Sequence, residues 1–245
     1  MRTLKLIIAY DGTAFAGWQM QANQRTVQGA LEDALLPIEG TRVVVHAAGS
    51  TDAGVHAAGQ VVIFSLAYPI PCDALVRALN VRLDQDVRVM SAEDAPDRFN
   101  ARFDARSKTY HYAIYQAPVV PPPLRHFVWH MPQRLDVTAM NEAAAALVGE
   151  HDFAAFQGAG GAVATTRREI LASRVMSRDV QVGYEVTGTG FLRHMVRNIV
   201  GTLVDIGRGR RPVEDMTRVL RSGDRAHASA TAPPQGLTLE RVDYL

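Results

Sequence analysis

The period of the apolar pattern changes along this chain in one order, and then in the same order again. That repeat restricts the fold more than any other feature of the sequence. Leu4–Tyr10 reads as an apolar strand. Val27, Ala30, Leu31, Ala34, Leu35 and Ile38 then recur at helical spacing, with Thr26 placed to cap the helix. β-branched runs at Arg42–Ala47 and Gln60–Leu66 predict strands. Asp73–Leu83 predicts a helix with Leu75, Ala78 and Leu79 facing inward, and Val87–Ala92 predicts one more strand. In the second half, Thr109–Tyr115 predicts a strand with Tyr110 and Tyr112 on one face. Asp136 caps a helix carrying Met140, Ala143, Ala144, Leu147 and Val148. Glu169–Met176 and Val180–Thr187 predict strands, Phe191–Ile206 a long helix and Leu237–Tyr244 a closing strand.

The order is β-α-β-β-α-β twice, as in ferredoxin-like or RRM-like units. The expected fold class is α+β: two fused units, 1–105 and 106–245, with mixed, largely antiparallel sheets. Between the elements, Pro121, Pro122 and Pro123 stiffen the connector 117–125. Residues 157–166 read as a mobile glycine- and alanine-rich loop, and 226–236 as a small-residue linker. Sheet faces of such units serve as RNA platforms, but fold alone does not set function.

Composition narrows the classes. Apolar residues at 47% and charged residues at 21% are those of an ordinary globular protein with a sizeable core. Cys72 is the single cysteine, so neither an intramolecular disulfide nor a set of zinc thiolates can form. The first apolar run ends at Ala9, too short for a signal peptide, and no stretch reaches the ~18 apolar residues of a membrane helix. The expected compartment is the cytoplasm, with no membrane partner. Walker, G-x-G-x-x-G and H-E-x-x-H spacings are absent, so neither a nucleotide cofactor nor a metal is expected.

Charge is informative only where it clusters, because the net value is +1. Residues 98–112 set Arg98, Arg102, Arg106 and Lys108 against Asp104, and 191–211 set Arg193, Arg197, Arg208, Arg210 and Arg211 against Asp205. Guanidinium forks in such clusters suit phosphate oxygens. From 98 to 112 the cations alternate with Phe99, Phe103, Tyr110 and Tyr112, the mixture that single-stranded RNA recognition uses; a solvated charged face beside a sheet is the plainer account.

The most unusual segment is Ala-Gly-Ser-Thr-Asp-Ala-Gly-Val-His-Ala-Ala-Gly, 48–59, which joins two apolar strands and spaces Gly49, Gly54 and Gly59 evenly. Asp52 at its centre is a candidate catalytic carboxylate on a rigid loop; an Asx-turn is the equally weighted structural reading. His56 reads more readily as a hydrogen-bonded structural residue. On the long helix Arg193 and Arg197 share one side, and an arginine beside Val196 and Asn198 needs an anionic partner, for which Asp52 is a candidate.

Gly-Ser-Thr-Asp-Ala-Gly-Val-His, 49–56, resembles the signature of the tRNA pseudouridine synthase A family. Tyr10-Asp11-Gly12, Phe15, Gly17-Trp18-Gln19, Thr26-Val27-Gln28, Ala101-Arg102-Phe103, Tyr110-x-Tyr112, His194–Gly201, Thr231-Ala232-Pro233 and Gly236-Leu237 extend the resemblance from Leu4 to Tyr244. It implies that Asp52 is the nucleophile, that Tyr110 packs on the target base, that Arg197 pairs with the aspartate and that Leu237 lines the pocket. Arg102, Arg106, Lys108 and Arg193 become the expected contacts to RNA. The resemblance also implies a homodimer, a central RNA-binding cleft, and uridines at positions 38–40 of the tRNA anticodon stem-loop as targets. Three positions depart from the family pattern: Ser50 and Lys108 stand where arginine is usual, and Asn100 where histidine is usual. The family arginine at Ser50 helps displace the target base. Its absence keeps open a non-catalytic tRNA-binding protein or RNA chaperone on the same scaffold, and a small-molecule α+β enzyme is a third reading.

Overall fold

The computed structural model describes residues 1–161 and 163–244; Ala162, within the loop expected at 157–166, and Leu245 lie outside the described residues. The first half carries β1 (Arg2–Tyr10), α1 (Val27–Glu39), β2 (His46–Ala47), β3 (His56–Leu66), α2 (Cys72–Arg82) and β4 (Val87–Asp94). The second half carries β5 (Ser107–Tyr115), β6 (Trp129–His130), α3 (Val137–Ala145), β7 (Gly149–Asp152), β8 (Arg167–Arg178), β9 (Gln181–Gly188), α4 (Met195–Gly207), α5 (Asp215–Ser222) and β10 (Leu237–Asp243). The chain divides into two compact units. One joins Met1–Arg106 to the chain from Thr238 onward, and the other is Ser107–Leu237.

In the first unit β1 lies between β3 and β4, antiparallel to both. The far edge of β3 pairs with β10, parallel, at His56 and Ala57, and with β2, antiparallel, at Val62 and Ile63. Alternation along β1 buries Leu4, Leu6 and Ile8 completely, and Phe64 and Val62 of β3 oppose Leu4 and Leu6 on that face. On the other face Val61 and Ile63 pack with Ala48 and Ala101, and Phe99, Val242 and Tyr244 cover them. Buried on both faces, β3 can carry the loop before it rigidly. Thr26 caps α1 by accepting from Gly29 N–H at 3.2 Å, and Gly40 ends the helix at a φ of +81°.

The second unit is a β5-β9-β8-β7 antiparallel sheet, with β6 parallel to the end of β5. Tyr110, Tyr112 and Ile114 on β5 and Val182, Tyr184 and Val186 on β9 form its buried face. α3, capped by Asp136 through Ala139 N–H at 2.9 Å, packs against β8 and α4. α4 is almost wholly buried. Gly201 lets the segment before β10 cross it closely, since a Cβ there would stand 1.9 Å from Ala230 O.

The α+β class and the largely antiparallel pairing are as the sequence predicts. Several elements differ. The strand expected at 42–47 shrinks to His46–Ala47, because Val45 N–H donates to the Glu32 carboxylate at 3.2 Å instead of to a strand. The long helix starts at Met195, since His194 takes a left-handed φ of +59°. α5, with Met216, Val219 and Leu220 buried, and the short β6 and β7 are additional. Where the sequence reading keeps 106–245 together, the structure groups the chain from Thr238 with the first unit. Thr238 and Leu239 pair with β3, and Val242 and Tyr244 cover its outer face.

Candidate active site

Asp52 lies in the loop between β2 and β3, and backbone hydrogen bonds shape that loop from both ends. Ala48 N–H donates to Val61 O at 2.8 Å, and the buried Gln60 side chain donates to Gly49 O at 2.7 Å. Val55 N–H closes a turn onto Asp52 O at 3.1 Å, with Gly54 at a φ of +75°. From the other side, Trp18 N–H donates to Thr51 O at 3.0 Å. Gly17 is required there: its φ is +103°, and a Cβ would stand 2.8 Å from Thr51 O. The α1 N-terminus holds this strap in turn, Val27 N–H and Gln28 N–H donating to Gly17 O and Trp18 O at 3.2 and 3.0 Å.

Side chains complete the cradle. The Tyr10 and Thr51 hydroxyls are 2.7 Å apart, and burial pushes the Tyr10 phenol up to about 12, so it is a neutral hydrogen-bonding group at ordinary pH. Gln28 accepts from Met20 N–H at 3.0 Å and donates to Glu32 at 3.0 Å, while Glu32 accepts from Val45 N–H at 3.2 Å. These two side chains tie together the segments on either side of the Asp52 loop. His56 is buried, and its Nδ1 accepts from Gly12 N–H at 3.0 Å, the structural role that its position in the sequence suggests. Asp52 itself is half-buried, and Ser50 is exposed.

The second unit assembles the other expected residues of the site around α4 and the segment before β10. Tyr110 is buried on β5 with its ring edge-on to Phe191 at 5.0 Å. Two residues along the same face, Tyr112 donates its hydroxyl to Pro233 O at 2.7 Å, and Gly236 lies against its ring, where a Cβ would come within 2.6 Å. Arg197 is half-buried; its Nε donates to Ala232 O at 2.8 Å, and Ala232 N–H donates back to Arg197 O at 3.1 Å. Asn198, fully buried, donates to Phe156 O at 2.7 Å and accepts from Thr231 Oγ1 at 2.7 Å. The approach to Leu237, which is 5% exposed, is therefore fastened at Thr231, Ala232 and Pro233.

The sequence reading names Tyr110, Arg197 and Leu237 but not Asn198 or the anchoring role of Tyr112. The Tyr110-x-Tyr112 and Arg197-Asn198 pairings were the available signal. Among the cations, Arg102 is exposed beside Phe103, Arg106 is exposed, Lys108 is half-buried opposite Gly188, and Arg193 is exposed with Nη1 donating to Ala159 O at 3.0 Å. Asn100, at the usual histidine position, caps its own turn by accepting from Arg102 and Phe103 N–H at 2.9 and 3.1 Å. Among the described residues no cluster of His, Cys, Asp or Glu is placed to hold a metal ion. Among the same described residues no helix is long and apolar enough to cross a membrane. A surface cleft of about 440 Å³ beside Arg25, Asp33 and Arg82 contains none of the candidate residues.

The chain is similar to known proteins along its length. The sequence model described as tRNA pseudouridine synthase matches residues 6–104 and 143–245. A Citrifermentans bemidjiense protein named tRNA pseudouridine synthase A is 45% identical over 245 residues, spanning 100% of this chain and 98% of its own. The Pelobacter propionicus protein of that name is 46% identical over 244 residues, spanning 100% of both chains. The Myxococcus xanthus protein is 45% identical over 246 residues, spanning 100% of this chain and 92% of its own.

Proposed function

The chain belongs to the tRNA pseudouridine synthase family, and we propose that it isomerises uridine to pseudouridine in tRNA with Asp52 as the nucleophile. The observation that carries the assignment of Asp52 is its loop. The carboxylate of the signature segment sits between two residues, Thr51 and Gly54, whose backbones are tied to Trp18 and Phe15. A loop held at so many backbone points presents one side chain in a fixed place, as a nucleophile requires.

The reaction breaks the N1–C1′ bond, turns the base, joins C5 to C1′ and then removes the C5 proton, while N1, freed from the sugar, gains one. Substrate and product are isomers, so no net redox change or phosphoryl donor enters the balance. A carboxylate can act on a sugar carbon of oxocarbenium character, as in retaining glycosidases. Attack at C1′ and removal of a neighbouring sugar proton, giving a glycal, both use the same aspartate. A glycosidase needs a second carboxyl group to activate water; here the detached base is itself the incoming nucleophile. Tyr110 is assigned to stacking on the target base, Arg197 to pairing with the aspartate and Leu237 to the pocket wall. Arg102, Arg106, Lys108 and Arg193 are assigned to tRNA phosphates. The roles of Asp52, Tyr110, Arg197 and Leu237 rest on the resemblance, as do the homodimer and the uridines at positions 38–40 of the anticodon stem-loop as targets; the phosphate contacts rest on the clustering of cations at 98–112 and 191–211, and the cytoplasm is the proposed setting. Two fused ferredoxin-like halves with an RNA cleft are the proposed architecture; the β4-β1-β3-β2 order of the first unit supports it.

The test is incubation with unmodified tRNA followed by chemical mapping of pseudouridine. Product is expected at the anticodon stem-loop. Asp52→Asn should abolish turnover while leaving tRNA affinity within about tenfold, roughly 1.4 kcal/mol. Substantial turnover by pure Asp52→Asn protein would refute the assignment, and binding without product by the wild type would favour a tRNA-binding protein or chaperone.

A further inference from the structure

Phe103 leaves 79% of its surface exposed, the highest value among the exposed aromatic residues described. Its exposure does not come from a loose segment. Asn100 accepts from both Arg102 and Phe103 N–H, Asp104 accepts from Asn100 N–H at 2.7 Å, and Asp104 N–H returns to Asn100 O at 3.0 Å. Beneath the turn, Ala101 is fully buried with Ala48, Val61 and Ile63. Its carbonyl accepts from the Tyr244 hydroxyl at 2.6 Å, and the Phe99 and Tyr244 rings are 5.0 Å apart. The turn is thus a rigid pedestal that holds one apolar ring in solvent.

The setting of the ring identifies what it meets. The Arg102 guanidinium lies over it at 5.8 Å, and Arg98 and Arg106 are exposed on either side along the chain. An aromatic face beside cations suits a nucleobase with its phosphate, whereas an apolar protein partner would leave the arginines without counter-charges. The pedestal also shares its base with the catalytic loop. Ala48, in contact with the Ala101 cluster, begins the loop that carries Ser50 and Asp52. Extraction of a target base breaks stacking with its neighbours. Ser50, exposed and short, offers no surface to replace that stacking.

We propose that Phe103 is a stacking residue for a tRNA nucleobase next to the extracted uridine, with Arg102 on the adjoining phosphate. The inference rests on tRNA being the substrate. Its test uses the full chain and a tRNA stem-loop with 2-aminopurine beside the target uridine, titrated against wild type, Phe103→Ala, Phe103→Trp and Arg102→Ala. Phe103 is exposed and its turn is held by hydrogen bonds to Asn100 and Asp104 that neither side chain under test makes, so the melting temperatures should match.

Wild type and Phe103→Trp should quench the probe. Phe103→Ala should lose the quench and bind about 5–150-fold more weakly, the range for one aromatic–base stack. Arg102→Ala should weaken binding and keep the quench. Product mapping on paired and unpaired targets should show a larger loss for Phe103→Ala on the paired ones. Equal quench and affinity for Phe103→Ala and wild type would overturn the proposal. So would a change in the monomer–dimer equilibrium with the quench unaltered, which would assign the ring to a second copy of this chain. A wild-type protein that quenches the probe but makes no pseudouridine would overturn the proposed function and leave this inference standing.

Discussion

Replacing Glu32 by alanine should destabilise the protein by about 2–4 kcal/mol, and it should impair the reaction through a residue remote from the substrate. Glu32 is 3% exposed. One carboxylate oxygen accepts from Gln28 Nε2 at 3.0 Å and Val45 N–H at 3.2 Å, and the other accepts from Arg42 Nε at 3.2 Å. In Glu32→Ala the Val45 N–H, in a residue 1% exposed, has no acceptor, at about 1–3 kcal/mol. Gln28 loses one partner and keeps Val45 O at 3.3 Å, which adds about 1 kcal/mol. Arg42 is 57% exposed and lies 3.5 Å from Asp33, so its pair contributes a few tenths at most.

At about 2–4 °C per kcal/mol for a chain of this length, the melting temperature should fall by about 4–16 °C. Glu32→Gln keeps an acceptor for Val45 and should lose less than half as much. Thermal unfolding followed by circular dichroism measures both variants. Single-turnover rates on tRNA, taken well below the melting point, then read the loop, because Val45 leads directly into 46–55. A Glu32→Ala melting point within 1 °C of wild type would show that this network does not hold the loop.

Ser50→Arg should raise turnover on uridines inside the paired stem more than on loop uridines, which are already partly unstacked; product mapping on the two target types decides, and a gain in affinity alone would contradict it. Gly201→Ala forces a Cβ to 1.9 Å from Ala230 O, a backbone atom, so it should cost about 3 kcal/mol or more in urea unfolding; a mild effect would mean that the crossing segment moves freely. Alkaline stability follows from the buried tyrosines. Burial raises Tyr10 to about 12, and Tyr112 and Tyr184 shift the same way, against an unfolded value of about 10. The neutral phenol is the favoured folded form, so stability should be intact below pH 10 and fall as pH rises through about 12. Urea midpoints from pH 8 to 12 should show that fall, shallower in Tyr10→Phe; a flat profile would rule it out.

The sequence by itself determined what most of the longer segments are. Thr26 and Asp136 cap helices where their spacing to the apolar stripes says they should, because a cap acts within one turn. The strands of β1, β3, β5, β8 and β9 follow their alternation or β-branched runs for a similarly local reason. The stripe Met216, Val219 and Leu220 of α5 was equally readable and is absent from the sequence reading. Asp52 stood out because its glycine spacing is local too.

Tertiary structure decided the partners. Nothing in Arg42–Val45 says that a carboxylate on α1 takes the Val45 N–H, so the strand predicted there is cut to His46–Ala47. His194 bends into a left-handed conformation and delays α4 by one turn, while the chain before it ties Gly158 N–H to Arg193 O at 2.8 Å. β10 reads as a strand from its own residues, yet its place in the first unit is set by Thr238 and Leu239 against His56 and Ala57, near the other end of the chain. Arg197 had a cation's need for an acceptor written in the sequence, but that Ala232 O would be one of its acceptors depends on how the segment before β10 crosses α4. Propensity and capping act over a few residues. Strand partners and buried polar acceptors are chosen by packing between segments far apart in the chain, where each orphaned group costs about 1–3 kcal/mol.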